Sequence, residues 1–166
     1  MKKYFFLLAA NLMLAFSAPA QMGILDGVYL ESDEEVVARI ESIKADIDAH
    51  LSSYTKIEKA KDSLGYRYAY YKGNELKKIK AFHKNQDNFQ SASWYFQNGK
   101  VILAVSILTD APEKTIFNSE KLYFDNEQLT VWIVAGKPID KNSNYFKRTA
   151  STMPANFSKL KEQYAK

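Results

Sequence analysis

Lys77, Lys78, Lys80 and Lys84 crowd one short stretch of the chain, a concentration of positive charge able to meet an anionic glycan, lipid A or a protein partner, or to guard the edge of a sheet. A second set of candidates is aromatic. Tyr70, Tyr95, Tyr123 and Trp132 fall on the sheet face opposite the core in a simple hairpin register, and rings on one sheet face can stack on sugars or anchor a protein. Lys77 and Lys80 with these four rings are the expected binding residues. Catalytic chemistry finds less to work with. The chain has no cysteine, so thiolate nucleophiles and thiolate metal sites are excluded, and its two histidines, His50 and His83, lie in different elements without a spacing that favours a shared metal. There is no Gly-x-Ser-x-Gly elbow and no glycine-rich phosphate loop. Acidic side chains such as Asp125 and Glu127 sit at turn tips, where water solvates them. The expectation is a protein that is not an enzyme and uses neither metal nor cofactor.

These residues must be positioned by a chain of 166 residues with 46% hydrophobic and 25% charged side chains, enough for one good core and unlike a low-complexity or disulfide-stapled chain. The net charge is +4. Lys2 and Lys3 belong to a leader-like segment, and setting them aside lowers it to +2, too weak to imply nucleic acid. That segment runs from the two lysines through an uncharged stretch, Tyr4 to Phe16, to Ser17-Ala18-Pro19-Ala20, the pattern of a secretory signal peptide cut after Ala20. The stretch is shorter than the about 20 apolar residues a membrane-spanning helix needs, so no stable membrane anchor is expected. Export to the periplasm or the medium follows. Residues 21–31 read as a lead segment, and 32–166 as a single domain.

From Ser32 the apolar residues Val36, Ile40, Ile43, Ile47, Leu51 and Tyr54 recur every three or four positions, which predicts one amphipathic helix from about Asp33 to Ser53. Ser32 with Glu35 makes a capping box. Glu34, Glu41, Lys44 and Asp48 are assigned to the opposite, polar face, and His50 near the helix end complements its dipole. Between Tyr66 and Ala135 the texture changes to short apolar runs and turns, and one unit occurs three times: Tyr70 to Leu76, Tyr95 to Val101 and Tyr123 to Leu129. Each reads aromatic pair, turn, aliphatic. Asn98-Gly99 is the strongest hairpin signal, Gly73-Asn74 is similar and Asn126-Glu127 weaker. A simple two-residue-loop register places Phe96, Val101, Trp94 and Leu103 on one face. In the third unit it groups Leu122, Phe124, Leu129, Val131 and Ile133, with Tyr123, Thr130, Lys121 and Trp132 opposite. The first unit departs from this register and predicts a bulge around Lys77-Lys78.

The fold expected is therefore α+β: an N-terminal amphipathic helix packed on an antiparallel meander of about six strands, then a helical C-terminal tail in which Pro154 kinks the helix or opens its last piece. The repeated unit, with Tyr-Phe-Gln-Asn-Gly-Lys-Val and Leu-Tyr-Phe-Asp-Asn-Glu-Gln-Leu-Thr-Val-Trp as its clearest copies, resembles uncharacterised exported bacterial proteins that carry repeated aromatic, Asn-Gly, aliphatic hairpins. It also resembles the hairpins of MORN-type repeats. That resemblance covers Ser32 to about Phe146 and implies architecture, with no catalytic residues to carry over. The function expected is an exported, non-enzymatic module that binds a protein or glycan through an exposed aromatic sheet face. The alternative is an inhibitor or accessory subunit of an envelope enzyme acting through a hairpin tip such as Asn98-Gly99.

Overall fold

The computed structural model describes residues 31–62, 65–84, 88–110 and 116–164; the leader expected up to Ala20, nearly all of the lead segment and the loop around Pro112 lie outside the described residues. Helix α1 spans Asp33–Ala49. The Ser32 hydroxyl accepts from the Glu35 amide at 3.3 Å and the Glu35 carboxylate accepts from the Ser32 amide at 2.7 Å, the reciprocal cap that the spacing predicts. His50 closes α1, its Nδ1 lying 2.9 Å from the Asp46 carbonyl, and a short 3-10 turn, Leu51–Ser53, leads into the sheet.

Eight strands follow in sequence order, each antiparallel to its neighbours: β1 (Thr55–Asp62), β2 (Gly65–Lys72), β3 (Glu75–Lys84), β4 (Asn88–Gln97), β5 (Lys100–Asp110), β6 (Ile116–Asp125), β7 (Gln128–Val134) and β8 (Lys137–Pro138). The three repeated units are the hairpins β2–β3, β4–β5 and β6–β7, which account for the six strands expected. The two additional strands are edges. β1 carries the highly charged run Thr55-Lys56-Ile57-Glu58, whose alternation lacks the apolar period of an inner strand, and β8 is two residues long.

All three hairpins share one irregularity. Lys77, Ile102 and Thr130, each directly after the aliphatic residue that follows the turn, have no cross-strand partner, because Tyr70 pairs with Lys78 while Tyr71 pairs with Leu76, and the later units repeat the pattern. A one-residue bulge reverses which face every later side chain takes. The bulge expected in the first unit is present. In the second and third units it overturns the simple register: Leu103 joins Tyr95 rather than Phe96, and Trp132 joins Phe124 while Val131 joins Tyr123. The turns themselves follow the expected chemistry, with positive φ at Gly73 (61°), at Asn98 and Gly99 (52° and 73°) and at Asn126 and Glu127 (50° and 66°). Glutamate rarely adopts this conformation. Here its carboxylate accepts from Lys161 at 2.6 Å, a contact no glycine could make.

Because the bulges distribute apolar residues to both sides, the sheet has two cores. α1 covers one face, where Val36, Ile40 and Ile47 meet Tyr95, Ile102, Leu103, Tyr123 and Val131. The second helix, α2 (Asn144–Tyr164), covers the other, placing Phe146, Met153, Phe157, Leu160 and Tyr164 over Tyr71, Phe96, Val101, Phe124 and Leu129. α2 starts where Ser143 Oγ accepts from the Phe146 amide at 3.1 Å, and it runs through Pro154, which sits on its exposed side. Among the described residues no helix is long and apolar enough to cross a membrane. Ile43 is half-buried at the rim of the α1 core while Ile40 is fully enclosed. Ile43→Ala is therefore expected to cost about 1 kcal/mol, well below the about 2–5 kcal/mol of an enclosed isoleucine, and paired urea titrations of Ile43→Ala and Ile40→Ala check the order.

Candidate functional site

The expected face of Tyr95, Tyr123 and Trp132 is not open, and the three rings do not share a face. Tyr95 (3% exposed) and Tyr123 (1%) lie beneath α1, whereas Trp132 (1%) lies beneath α2, moved there by the bulge at Thr130. Tyr70, at 9%, is also buried, on the α1 side. Each ring has a polar tip that needs a partner, and α1 supplies two. Tyr123 donates its hydroxyl to Glu41 at 2.7 Å, with Lys121 on the same oxygen at 2.7 Å. Two helical turns later, Tyr95 meets Asp48 at 3.1 Å, with Lys78 at 2.6 Å and Lys44 at 3.0 Å. Glu41, Lys44 and Asp48, assigned from the sequence to the polar face, thus border the apolar stripe and clamp α1 to the sheet. Burial pushes both carboxyls up, but hydrogen bonds from the lysines and from Tyr123 outweigh it, so both ionise below the ordinary carboxylate range. Burial pulls Lys78 down, and Asp48 opposes that shift. Under α2, Trp132 donates Nε1–H to Glu120 at 2.7 Å, and Tyr145 stacks on its indole at 4.8 Å. Burial pushes the Glu120 carboxyl up, with the indole hydrogen bond acting against it.

Lys77 is the bulged residue of its hairpin, paired with Glu75 at 2.6 Å. It lines a cleft of about 280 Å³ beneath α1 with Ser42, Asp46, Tyr54 and Lys72, just under the about 300–1,000 Å³ of typical small-ligand sites. The hairpin tips brace one another: the Asn98 amide donates to Glu75, Lys100 donates to Asn126, and Lys161 of α2 reaches the Gly99 carbonyl at 3.3 Å. Among the described residues no group of three or more His, Asp or Glu gathers as metal ligands.

What α1 leaves uncovered is the far half of its own sheet face, away from the tips. Register places Tyr66, Tyr68, Lys80, Phe82, Lys84 and Phe89 on that face of β2, β3 and β4. All but Lys84 are half-buried, and Lys84 is exposed. The rings form a continuous row: Tyr68 to Tyr66 at 4.7 Å, Tyr66 to Phe82 at 5.2 Å and nearly parallel at 11°, and Phe82 to Phe89 at 5.4 Å. Lys56 Nζ stands 3.7 Å over the Tyr68 ring and Lys84 Nζ 5.5 Å from that of Phe89. Lys80 lies between Tyr68 and Ser93 across the strands. Lys56, Lys80 and Lys84 form no salt bridge to a carboxylate among the described residues, and Glu58, beside the Tyr68 hydroxyl, is the nearby acid. Ile116, at 62% the exposed large apolar residue among the described residues, pairs with Thr109 toward the far side of the same face. Of the expected binding residues only Lys80 belongs to this surface. Its rings escaped sequence reasoning, although the period-two run Tyr66, Tyr68, Tyr70 signals a shared strand face. No protein-family model, no curated protein and no solved structure matches this chain.

Proposed function

We propose that this protein is an exported, non-enzymatic binding module that captures a protein or glycan on the uncovered half of the α1 face. The carrying observation is the row Tyr68, Tyr66, Phe82 and Phe89 flanked by Lys56, Lys80 and Lys84. An uncovered patch of rings lowers solubility and usually marks an interaction site. Lysines that form no salt bridge to a carboxylate among the described residues set its sign. The shifted carboxyls Glu41 and Asp48 tie α1 to the sheet and Glu120 receives the Trp132 indole within it, which supports a non-catalytic reading. Export is supported by Lys2, Lys3, the uncharged run and Ala18-Pro19-Ala20.

The double variant Tyr68→Ala/Lys80→Ala is expected to lose capture in a glycan array or a pull-down from envelope extract while its melting temperature stays within about 5 °C of the parent. Undiminished capture by the folded variant refutes the assignment of this face.

A further inference from the structure

We infer that the occupant of this face is an acidic protein segment with an apolar stripe, an inference that rests on the binding reading above. Ring faces are already engaged along the row. Tyr66 and Phe82 lie face to face at 5.2 Å and 11°, and Lys56 stands over the face of Tyr68. Stacking on a sugar needs a free ring face, whereas rings turned toward one another offer edges. The edge is the positive side of the aromatic quadrupole, so it favours carboxylates as the lysines do. The rings also give apolar area for leucine or phenylalanine side chains, the kind of aromatic anchor that dominates protein interfaces. A second copy of this chain fits poorly, because it would set Lys56, Lys80 and Lys84 against their own counterparts. Insertion into a membrane surface needs protruding side chains, and these rings are half-buried among themselves.

Fluorescence anisotropy with the full exported chain tests this, using a labelled amphipathic helical peptide whose leucine and phenylalanine stripe is bordered by glutamates. Its twin with lysines for the glutamates, an oligogalacturonate and phosphatidylglycerol vesicles complete the set. The glutamate peptide is expected to bind at least about tenfold tighter than the lysine twin, to weaken as salt is raised, and to lose that preference in Lys80→Glu/Lys84→Glu. The melting temperature of that variant shows that it is folded. Equal binding of the two peptides overturns the inference. Binding of oligogalacturonate or vesicles with the same dependence on Lys80 and Lys84, without the peptide, overturns it too but leaves the face as a binding surface. Failure of every probe, alongside unchanged capture by Tyr68→Ala/Lys80→Ala, removes both readings.

Discussion

Trp132→Ala is expected to destabilise the protein by about 3–5 kcal/mol, the cost of emptying a fully enclosed indole site. The cavity would open beneath α2, against Tyr145 and Phe146, which stack on and pack beside the indole at 4.8 and 6.3 Å. Trp132→Phe keeps most of the volume but removes the donor to Glu120, leaving a buried carboxyl without that hydrogen bond, for about 1–3 kcal/mol. Urea denaturation of the two variants separates packing from hydrogen bonding. An alanine variant within about 1 kcal/mol of the parent would place Trp132 outside the core. Glu120 also gives the parent a pH signature. Its folded pKa lies above the unfolded value, so the folded state binds the extra proton between the two, and stability falls as pH rises through that window. Glu120→Gln should flatten that slope.

Asp48→Ala is the second large effect, about 2–4 kcal/mol, because it strands Lys78, only 7% exposed, beneath α1 without its counter-charge and leaves the Tyr95 hydroxyl without its acceptor. The figure is held below that of a fully enclosed pair because the Asp48 side chain is itself 33% exposed. Lys78→Met should cost less. It replaces a desolvated ammonium with an apolar chain of similar length and leaves Asp48 paired with Lys44 and Tyr95. Equal losses in chemical denaturation would show that the pair is solvated. The pH dependence runs opposite to that of Glu120: Asp48 ionises below its unfolded value, so its contribution is complete above the ordinary aspartate pKa and disappears as pH falls through the lowered one.

The helix with its cap, the three hairpins and the antiparallel α+β class were legible in the sequence because each depends on neighbours a few residues apart: Ser32 with Glu35, a period near 3.6, and Asn98-Gly99 at positive φ. The bulge at Lys77 was legible too, since Leu76 and Ile79 conflict under a simple register. The bulges at Ile102 and Thr130 were not, because both registers there give plausible apolar faces, and only a second helix covering the far side makes two cores better than one. Tertiary structure likewise decided that Glu41 and Asp48 face inward, since a carboxylate beside an apolar stripe is read as solvated until the tyrosines and lysines that receive it are in place. It moved the candidate surface as well. The sequence supplies rings on both halves of the sheet, but which half stays open depends on where α1 lies across it, and that is set by its packing on β5, β6 and β7 rather than by any local signal.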